Sequence, residues 1–472
     1  MVVGDVAISR RHRAGADRIG FSWADVLGPI GVGTVIAVVC LWVMDQGLAS
    51  VYTTWDRTLD STGLLTGLLA SDLMILQVVL LARIPLVERA WGHDLLARRH
   101  KWIGYASFWL MMAHILLFAG QRLNRAGGWD GDSMWELFIH ESWLLAATVG
   151  TIMLIVVVVT SVKVARRKLR YESWHLLHLY AYLGVGLALP HQIYDGSDFH
   201  GTFTQVYWWT IYAVALAAII GYRVAMPIGR SLYHRVRVVG VVRESDRVVS
   251  VHVQGHHLDR LRPQSGQFFI WRFLDGPGWS RANPYTISAA PTDDRLRVTI
   301  QNVGEGSGRV NRLKPGTRVF LEGPYGSMTA EHRSHPRVLL LAAGVGITPI
   351  RALLEDTPYA PGEAILLYRF HDGSDAIFVD EINEIATRRG VQVHYLPGPR
   401  RAVDSWLPAT VYHGGTAPLS TDDAVALRQI VPDIADRDVF VCGPMPWIKS
   451  VTNAALRAGA ARRQIHTEDF AW

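Results

Sequence analysis

Long stretches in the first half of the chain carry no charged residue, and their lengths constrain the fold more than any other feature. Five stretches are free of charge: 26–44, 102–120, 142–162, 173–194 and 203–222. A sixth stretch, 62–82, carries only Asp72. Each is close to the roughly 20 residues that an α-helix needs to cross about 30 Å of hydrocarbon. We therefore predict a bundle of six transmembrane helices.

The loops between these stretches indicate their orientation. Loops on one side carry 14 Lys and Arg residues, within Arg10–Arg18, Arg83–Lys101 and Lys163–Arg170. Loops on the other side carry three, Arg57, Arg122 and Arg125. Because basic loops face the cytoplasm, residues 1–23 and the C-terminus are predicted to be cytoplasmic. The first stretch is too long for a cleavable signal, and without an organellar address we expect a multi-pass plasma-membrane protein.

Composition excludes several function classes. Half of the residues are hydrophobic and 19% are charged, which excludes a disordered chain. The net charge of +6 reflects topology and contact with anionic membrane lipid, so we expect no nucleic-acid partner. Cys40 and Cys442 are far apart and form no CxxC pair, which excludes a cysteine-ligated iron–sulfur cluster. Redox chemistry in this chain would need other cofactors.

The second half changes in character after about residue 223. Short β-branched runs come first, Arg235–Val242, Val248–Val253 and Gln267–Phe273. Strands Val338–Ala342, Ala364–Tyr368, Val391–Tyr395 and Asp438–Val441 then alternate with helices near Thr348–Leu354, Asp375–Arg389 and Trp447–Ala458. The predicted fold class is therefore multidomain: a six-helix transmembrane bundle at 24–228, an antiparallel β-barrel at 229–333 and an α/β doubly wound domain at 334–472.

Histidines at membrane depth come in two pairs. His100 and His114 bracket the third stretch, and 14 residues climb about 21 Å in nearly four turns, so both lie on one face. His178 and His191 bracket the fifth stretch at nearly the same separation, although an ideal helix would not align them. Pro190 could supply the needed distortion. The spacing predicts two facing pairs of axial ligands for two b-type haems.

Other interpretations of these residues are more ordinary. A single intramembrane histidine usually bonds a backbone carbonyl, but two pairs at matching depths favour haem. His175 competes with His178, yet nothing 13 or 14 residues later pairs with it, so we interpret it as structural. Loop histidines are expected to be solvated: His93, His140 and His200. Asp72 is either functional as an intramembrane acid or caps a helix end.

Two motifs in the β-rich region suit a flavin. In the run Arg281–Ser288, Arg281 offers a phosphate clamp, Tyr285 a stacking face and Thr286 a hydroxyl for a flavin ring nitrogen. The turn 304–308, GEGSG, follows the next strand, and its backbone amides can cradle a diphosphate. A glycine turn is usually only a turn, but its distance from the aromatic motif favours a nucleotide site.

The α/β region carries a dinucleotide signature. The run 343–349, AGVGITP, follows a predicted strand and precedes a helix, where glycine allows close approach and the helix N-terminus favours a diphosphate. A later strand ends in Cys442-Gly443-Pro444. Cys442 is interpreted either as a small buried residue or as a contact of the nicotinamide, and both can hold.

These motifs, with the terminal Glu468-Asp469-Phe470, resemble the ferredoxin-NADP reductase family. Together with the four-histidine half, residues 24–472 resemble a ferric reductase or NADPH oxidase type of transmembrane dehydrogenase. The resemblance implies FAD, two haem b groups and NADPH, with NADH as the other nucleotide considered. It also implies an FAD-binding role for 229–333 and an NAD(P)H-binding role for 334–472.

The resemblance assigns roles to individual residues. For FAD it implies Arg281, Pro284, Tyr285, Thr286, Gly304, Gly306 and Ser307. For the nicotinamide nucleotide it implies Gly344, Gly346, Thr348, Pro349, Cys442, Gly443 and Pro444. Thr286, Cys442 and a C-terminal aromatic that covers the flavin would act in catalysis. The aromatic is Phe470 or Trp472, because the chain continues past the family's usual terminal ring.

Three functions remain in competition. The first is transmembrane electron transfer from cytoplasmic NAD(P)H to an outer acceptor, either a ferric chelate or dioxygen, with no obligatory protein partner evident. Phe118 stands where animal NADPH oxidases carry an additional histidine. The resemblance therefore supports superoxide formation less than it supports transmembrane electron transfer. The second is a histidine-based proton or solute transporter regulated by a fused nucleotide-binding domain. The third is a cytoplasmic reductase that is merely tethered by its helices.

The residue at the end of one strand indicates whether the chain prefers NADPH or NADH. The strand Ala364–Tyr368 leads into Arg369, where a cation would meet a 2′-phosphate, and no acidic residue closes that strand. The sequence therefore favours NADPH over NADH. Alternatively, Arg369 faces solvent or pairs with Asp372 or Asp375.

Overall fold

The computed structural model describes residues 23–91, 93–126, 142–162, 171–195, 201–276, 282–302, 308–409, 412–413 and 417–468. The chain divides into two compact units. A helical unit comprises the described residues up to Val162 together with Leu177–Ala215, and a sheet unit comprises 171–176 together with the described residues from Leu216.

The first half of the chain forms helices in the described ranges. These are α1 (Trp23–Met44), α2 (Gly47–Val51), α3 (Trp55–Leu80), α4 (Pro85–Trp91), α5 (His93–Ala126), α6 (Ser142–Ser161), α7 (Tyr171–Asp195) and α8 (Thr202–Ala218). A π-helical segment, Ile219–Ala225, connects α8 to α9 (Met226–His234).

Five of these helical segments are long and apolar enough to cross a membrane, whereas six crossings were predicted. The five are Trp23–Met44, Trp55–Leu80, Leu95–Arg125, Trp143–Ser161 and Thr202–His234. The predicted fifth crossing is present as α7, a helix of 25 residues. Its three histidines and Gln192 make it less apolar than the others. The described residues thus contain five apolar spans, and a membrane crossing by α7 stays a prediction.

Close backbone contacts and a few polar bonds hold the helical unit together. A Cβ on Gly184 of α7 would lie 2.9 Å from the carbonyl oxygen of Gly150 on α6, so these helices touch through their backbones. Asp72 is 2% exposed and accepts hydrogen bonds from Thr34 at 3.1 Å and from Tyr207 at 3.0 Å. Asp72 thus lies within the bundle and joins α3 to α1 and α8, rather than capping a helix end.

The first lobe of the sheet unit contains two three-stranded antiparallel sheets, and the antiparallel barrel predicted for 229–333 stays a prediction. The strands are β1 (Arg237–Arg243), β2 (Val248–Gln254), β3 (Phe268–Phe273), β4 (Asn283–Thr286), β5 (Arg295–Gln301) and β6 (Val319–Tyr325). The sheet orders are β1-β2-β5 and β4-β3-β6. Single antiparallel bridges, Ile287 to Val298 and Arg237 to Arg318, join their edges. Both sheets bury their inner faces in one core around Val251, Trp271 and Val298.

The second lobe is a five-stranded parallel sheet covered on both faces. Its strands are β7 (Arg337–Ala343), β8 (Ala364–Phe370), β9 (Gln392–Pro397), β12 (Arg437–Cys442) and β13 (Ile465–Glu468), and a short β10/β11 hairpin (Tyr412–His413, Ala417–Pro418) lies outside it. The order is β13-β12-β7-β8-β9. Four helices cover the sheet: α10 (Ile347–Asp356), α11 (Val379–Arg389), α12 (Asp423–Ile430) and α13 (Met445–Arg457).

Alternation along β7 explains why helices lie on both faces. Leu339 and Leu341 point into the core that contains α12 and α13, whereas Leu340 points into the core that contains α10 and α11. Successive strand residues face opposite sides of a sheet, and β7 is apolar at both sets of positions. Loops at the carboxyl edge of such a sheet form its ligand crevice.

Candidate functional site

The helical unit brings together all four histidines that the spacing selected. The ring centroids of His100 and His178 are 5.9 Å apart, and those of His114 and His191 are 6.5 Å apart. Both pairs meet between α5 and α7, and Pro190 lies inside α7 just before His191. An ideal helix would not align His178 with His191, but in the structure both rings face α5.

Neighbouring helices orient these rings through Nδ1. His114 Nδ1 lies 2.8 Å from the carbonyl oxygen of Gly63, and His100 Nδ1 lies 3.4 Å from that of Gln77. Ser161 Oγ lies 3.3 Å from His178 Nδ1. A Cβ on Gly67 would collide with the His114 ring, so glycine makes room for it. Metal-binding imidazoles are commonly oriented through their second nitrogen in this way.

The two pairs fit bis-imidazole coordination. An iron held by two imidazole nitrogens at about 2 Å each would separate the ring centroids by about 6 Å. Both measured separations are close to that value. Each pair offers two ligands, and the remaining positions of a haem iron are supplied by the porphyrin.

Strand β4 contains three of the residues predicted to bind flavin, and one of them is buried. Thr286 is 4% exposed, and its Oγ1 has no hydrogen-bond partner among the described residues. Tyr285 lies opposite Phe269 of β3, and burial raises the pKa of its hydroxyl to about 12. Pro284 pairs with Ile270 in the same ladder. A buried hydroxyl without a partner is costly, so Thr286 suits a polar ligand atom such as a flavin nitrogen.

Six of the predicted flavin residues lie outside the described residues. They are Arg281, Gly304, Gly306, Ser307, Phe470 and Trp472. Their roles, and the choice between the two C-terminal aromatics, stay predictions.

A cleft of about 1110 Å³ lies at the carboxyl edge of the parallel sheet. The second lobe contributes Gly344, Gly443 and Pro444 to its lining, together with Arg369. The first lobe contributes the turn Glu244–Val248. The motif glycines thus meet at one edge, where a dinucleotide is expected in a doubly wound sheet.

Glycine is required at the base of this cleft because backbones approach closely. A Cβ on Gly346 would lie 2.7 Å from the backbone nitrogen of Gly443 and would also collide with the backbone of Cys442. A Cβ on Gly443 would lie 2.9 Å from the ring of Trp447. Gly344 has φ +54°, in the left-handed region that favours glycine.

Three other predicted nucleotide residues lie beneath the cleft rather than in its lining. Thr348 and Pro349 are buried in the first turn of α10. Cys442 is fully buried at the end of β12, and its Sγ lies 3.9 Å from the carbonyl oxygen of Glu468. Of the two interpretations of Cys442, the structure agrees with a small buried residue.

Arg369 lines the cleft, as the strand-end argument required, and a second arginine accompanies it. Arg369 donates to the carbonyl oxygen of Gly398 at 3.1 Å, and its buried Nε has no partner among the described residues. Burial and the charge of Arg400 lower the pKa of Arg369. No carboxylate within the described chain lies within 4 Å of either guanidinium, so the pairing with Asp372 or Asp375 is absent. Arg400 follows β9, the strand that pairs with β8. Its position after a strand end is a signal that the sequence already contains.

Sequence reasoning missed a charged network that joins the two lobes. Arg297 of β5 donates to both carboxylate oxygens of Glu381 on α11, at 2.8 and 3.0 Å. Arg351 of α10 lies 2.8 Å from the same carboxylate and also pairs with Glu355. Burial alone would raise the pKa of Glu381, but the two arginines outweigh it and hold the pKa below its usual range. Because Arg297 and Glu381 are 84 residues apart, no local pattern signals the pair.

Comparison with known proteins supports both halves of the resemblance. Residues 66–189 match the family model described as the ferric reductase like transmembrane component. This range contains His100, His114 and His178 and ends two residues before His191.

The sheet unit is similar to reductases. The chain is 30% identical over 217 residues to the ferredoxin reductase component of 3-ketosteroid-9-alpha-monooxygenase from Mycolicibacterium smegmatis, covering 45% of this chain and 57% of that protein. It is 25% identical over 217 residues to a flavohemoprotein from Vibrio cholerae, covering 44% and 51%. The FAD/NAD binding domain of nitric oxide dioxygenase from Vibrio cholerae aligns with a TM-score of 0.39 and 22% identity, over 50% of this chain and 98% of that structure.

The chain spans a little over half the length of the curated relatives it matches. A ferric-reductase-like transmembrane region thus precedes a region similar to ferredoxin reductases. The combination confirms the resemblance drawn from the motifs.

Proposed function

We propose that the chain is an integral membrane oxidoreductase that passes electrons from cytoplasmic NAD(P)H through FAD and two b-type haems to an acceptor on the outer side. The single observation that carries the proposal is the meeting of two histidine pairs between α5 and α7, with ring separations of 5.9 and 6.5 Å. A flavin accepts a hydride and releases single electrons, which is the conversion that haem groups require.

The residues of each unit have defined tasks in this proposal. His100 and His178 would hold the haem nearer the cytoplasm, and His114 and His191 the outer one. Gly344 and Gly443 bring backbone close to the nicotinamide nucleotide, and Thr286 offers its unpartnered hydroxyl to the flavin.

The basic loops support the proposed orientation. We infer that α7 is the sixth membrane crossing, because its two ligand histidines each meet a histidine of α5 at matching positions. With six crossings and the positive-inside bias, both termini and the sheet unit would be cytoplasmic.

Nucleotide preference belongs to the same proposal. Arg369 and Arg400 line the cleft without a carboxylate partner among the described residues. Two such guanidinium groups suit the 2′-phosphate of NADPH. We therefore favour NADPH over NADH.

The transporter hypothesis receives less support. Histidine-based proton relays need titrating side chains along a path, whereas these histidines meet as two separate pairs. Three of them, His100, His114 and His178, also have a neighbour at Nδ1. Flux of protons or solute through haem-free protein would revive that hypothesis.

A reduced-minus-oxidised spectrum of the purified protein tests the proposal. We expect a b-type haem signal that falls by about half in the double variant His114→Ala/His191→Ala and by about half in His100→Ala/His178→Ala. The variant His256→Ala, at an exposed histidine of the sheet unit, is the matched control and should keep the full signal. Full haem content in both double variants would refute the ligand assignment.

The acceptor is tested separately with sealed vesicles and an impermeant electron acceptor. Reduction that superoxide dismutase does not inhibit, with or without oxygen, would indicate a ferric chelate. Reduction that requires oxygen and is inhibited by superoxide dismutase would indicate that dioxygen is the acceptor. No reduction of an impermeant acceptor would support the tethered-reductase hypothesis instead.

A further inference from the structure

The helical segment that leads into the sheet unit is longer than a membrane crossing requires. It runs from Thr202 to His234, which is 33 residues. At about 1.5 Å per residue it extends about 50 Å, against about 30 Å of hydrocarbon. Roughly its last dozen residues must therefore lie outside the hydrocarbon or along its boundary.

The last turns of this segment are apolar on the outside and polar on the inside. Val224, Ile228 and Leu232 follow one another at i, i+4 and i+8, and they are 49%, 44% and 64% exposed. Ser231 and His234 are buried. A helix on the surface of a water-soluble protein shows the opposite arrangement, so this face calls for an apolar partner.

The inner face fixes the helix to the first lobe. Arg230 donates to the carbonyl oxygen of Gly323 at 2.8 Å, and the backbone nitrogen of Leu321 donates to Ser231 Oγ at 3.3 Å. These acceptor and donor positions belong to β6, which pairs with β3, and β3 pairs with the flavin strand β4. Hydrogen bonds and strand pairing thus connect α9 to the strand that contains Thr286.

The chain segment that contains this face carries only basic charged residues. Residues 199–243 contain no Asp or Glu and five arginines, Arg223, Arg230, Arg235, Arg237 and Arg243. Arg235 and Arg237, directly after α9, are exposed. Basic residues beside an apolar helical face are typical of contact with anionic lipid headgroups.

We propose that the face formed by Val224, Ile228 and Leu232 lies in the headgroup boundary of an anionic bilayer leaflet. The occupant is lipid, because the helix is continuous with a membrane span and its surroundings are basic. The inference rests on the membrane span proposed for this segment but on neither haem nor electron acceptor.

A depth measurement on the full-length chain tests the lipid contact. Leu232→Cys is prepared with Cys40→Ser and labelled with bimane, since Cys442 is fully buried and will not react. The protein is reconstituted in bilayers of phosphatidylcholine and phosphatidylglycerol that contain brominated chains. Val425→Cys, at a residue of α12 that is 42% exposed, is the matched control. We expect at least threefold stronger quenching at position 232.

Lipid composition and a second position make the test decisive. Ile228→Cys should be quenched like Leu232→Cys, and in both the quenching should weaken when phosphatidylcholine is the only lipid. Arg235→Gln should reduce that dependence on anionic lipid. Quenching at 232 and 228 no stronger than at 425 would overturn the proposal. A blue-shifted bimane without bromine quenching would overturn it in favour of a second copy of the chain. Because haem-free protein serves equally well, the result is separate from that of the haem spectrum.

Discussion

The two units place their proposed functional groups in different ways. In the helical unit these groups are side chains on long helices, and the separation of His100 and His114 is fixed by 14 residues of helical rise. In the sheet unit they are largely backbone atoms and strand ends, and Gly344, Gly443 and Arg369 converge from three separate strands. On a helix, the relative positions of two side chains follow from their spacing in sequence. At a sheet edge, they depend on how strands that are distant in sequence pair.

This difference has an energetic counterpart. Around His114, an added side-chain atom is limited by the imidazole ring, which must fit against Gly63 and Gly67 of one neighbouring helix. At the cleft, an added atom on Gly346 is limited by the backbone of the residues that end β12. Adding one methyl group in each unit therefore probes a different kind of fit.

The largest effect is expected from Gly67→Ala in the helical unit. The new Cβ would lie 2.7 Å from Cε1 of His114 and closer still to Nδ1, so the ring must leave its bond to the carbonyl oxygen of Gly63. We expect about half of the haem signal to be lost in a reduced-minus-oxidised spectrum, because one ligand pair is broken and the other is not. Gly186→Ala on α7 is the control, since nothing lies within 4 Å of its Cβ. Equal haem content in both variants would contradict the pairing.

The corresponding change in the sheet unit is Gly346→Ala. Its Cβ would press on backbone rather than on a side chain, and the loop before α10 must move away from β12. We expect the rate of flavin reduction by NAD(P)H to fall by about 100-fold, since a displacement of about 1 Å at a positioned substrate has that cost. Gly373→Ala, at another residue of the cleft whose Cβ would meet nothing within 4 Å, should stay within twofold of the parent.

The same comparison explains how far the sequence could be used. Helical spacing found both histidine pairs, and glycine motifs found the edge of the parallel sheet, because each signal is local. Hydropathy within the described residues identifies five spans, and the sixth, α7, stays a prediction because its histidines lower its hydropathy. The Arg297–Glu381 pair and the reversed polarity of α9 were not predictable, because they depend on contacts between segments distant in sequence.

A smaller effect is expected at the strand end, where a charged side chain is removed and no atom is added. Arg369→Ala should raise the Michaelis constant for NADPH about tenfold, because a charge-assisted bond to phosphate contributes about 1.5 kcal/mol or more. The constant for NADH should change by less than twofold, and Arg400→Ala should show the same selectivity. Steady-state kinetics with both nucleotides measures this, and equal increases for NADPH and NADH would refute a phosphate site.

The smallest effect concerns the contact between the lobes and depends on pH. Glu381→Gln removes the carboxylate shared by Arg297 and Arg351, while Arg351 keeps Glu355. Because the Glu381 side chain is 35% exposed, we expect a loss of about 1–2 kcal/mol at pH 7, or a melting temperature lower by roughly 5 °C. Glu384→Gln, on the same helix and 76% exposed, should change it by less than 1 °C.

The direction of the pH dependence follows from the pKa of Glu381, which the two arginines hold below its usual range. A carboxyl with a lowered folded-state pKa stabilises the fold above its unfolded pKa of about 4.3, and that contribution disappears as the pH falls through the folded-state pKa. The difference in melting temperature between the parent and Glu381→Gln should therefore shrink as the pH is lowered from 7 toward 4 and below. Thermal unfolding of the full-length protein, followed by release of flavin fluorescence, measures it. A difference that is constant or grows on acidification would show that the glutamine acts through packing rather than through the lost charge.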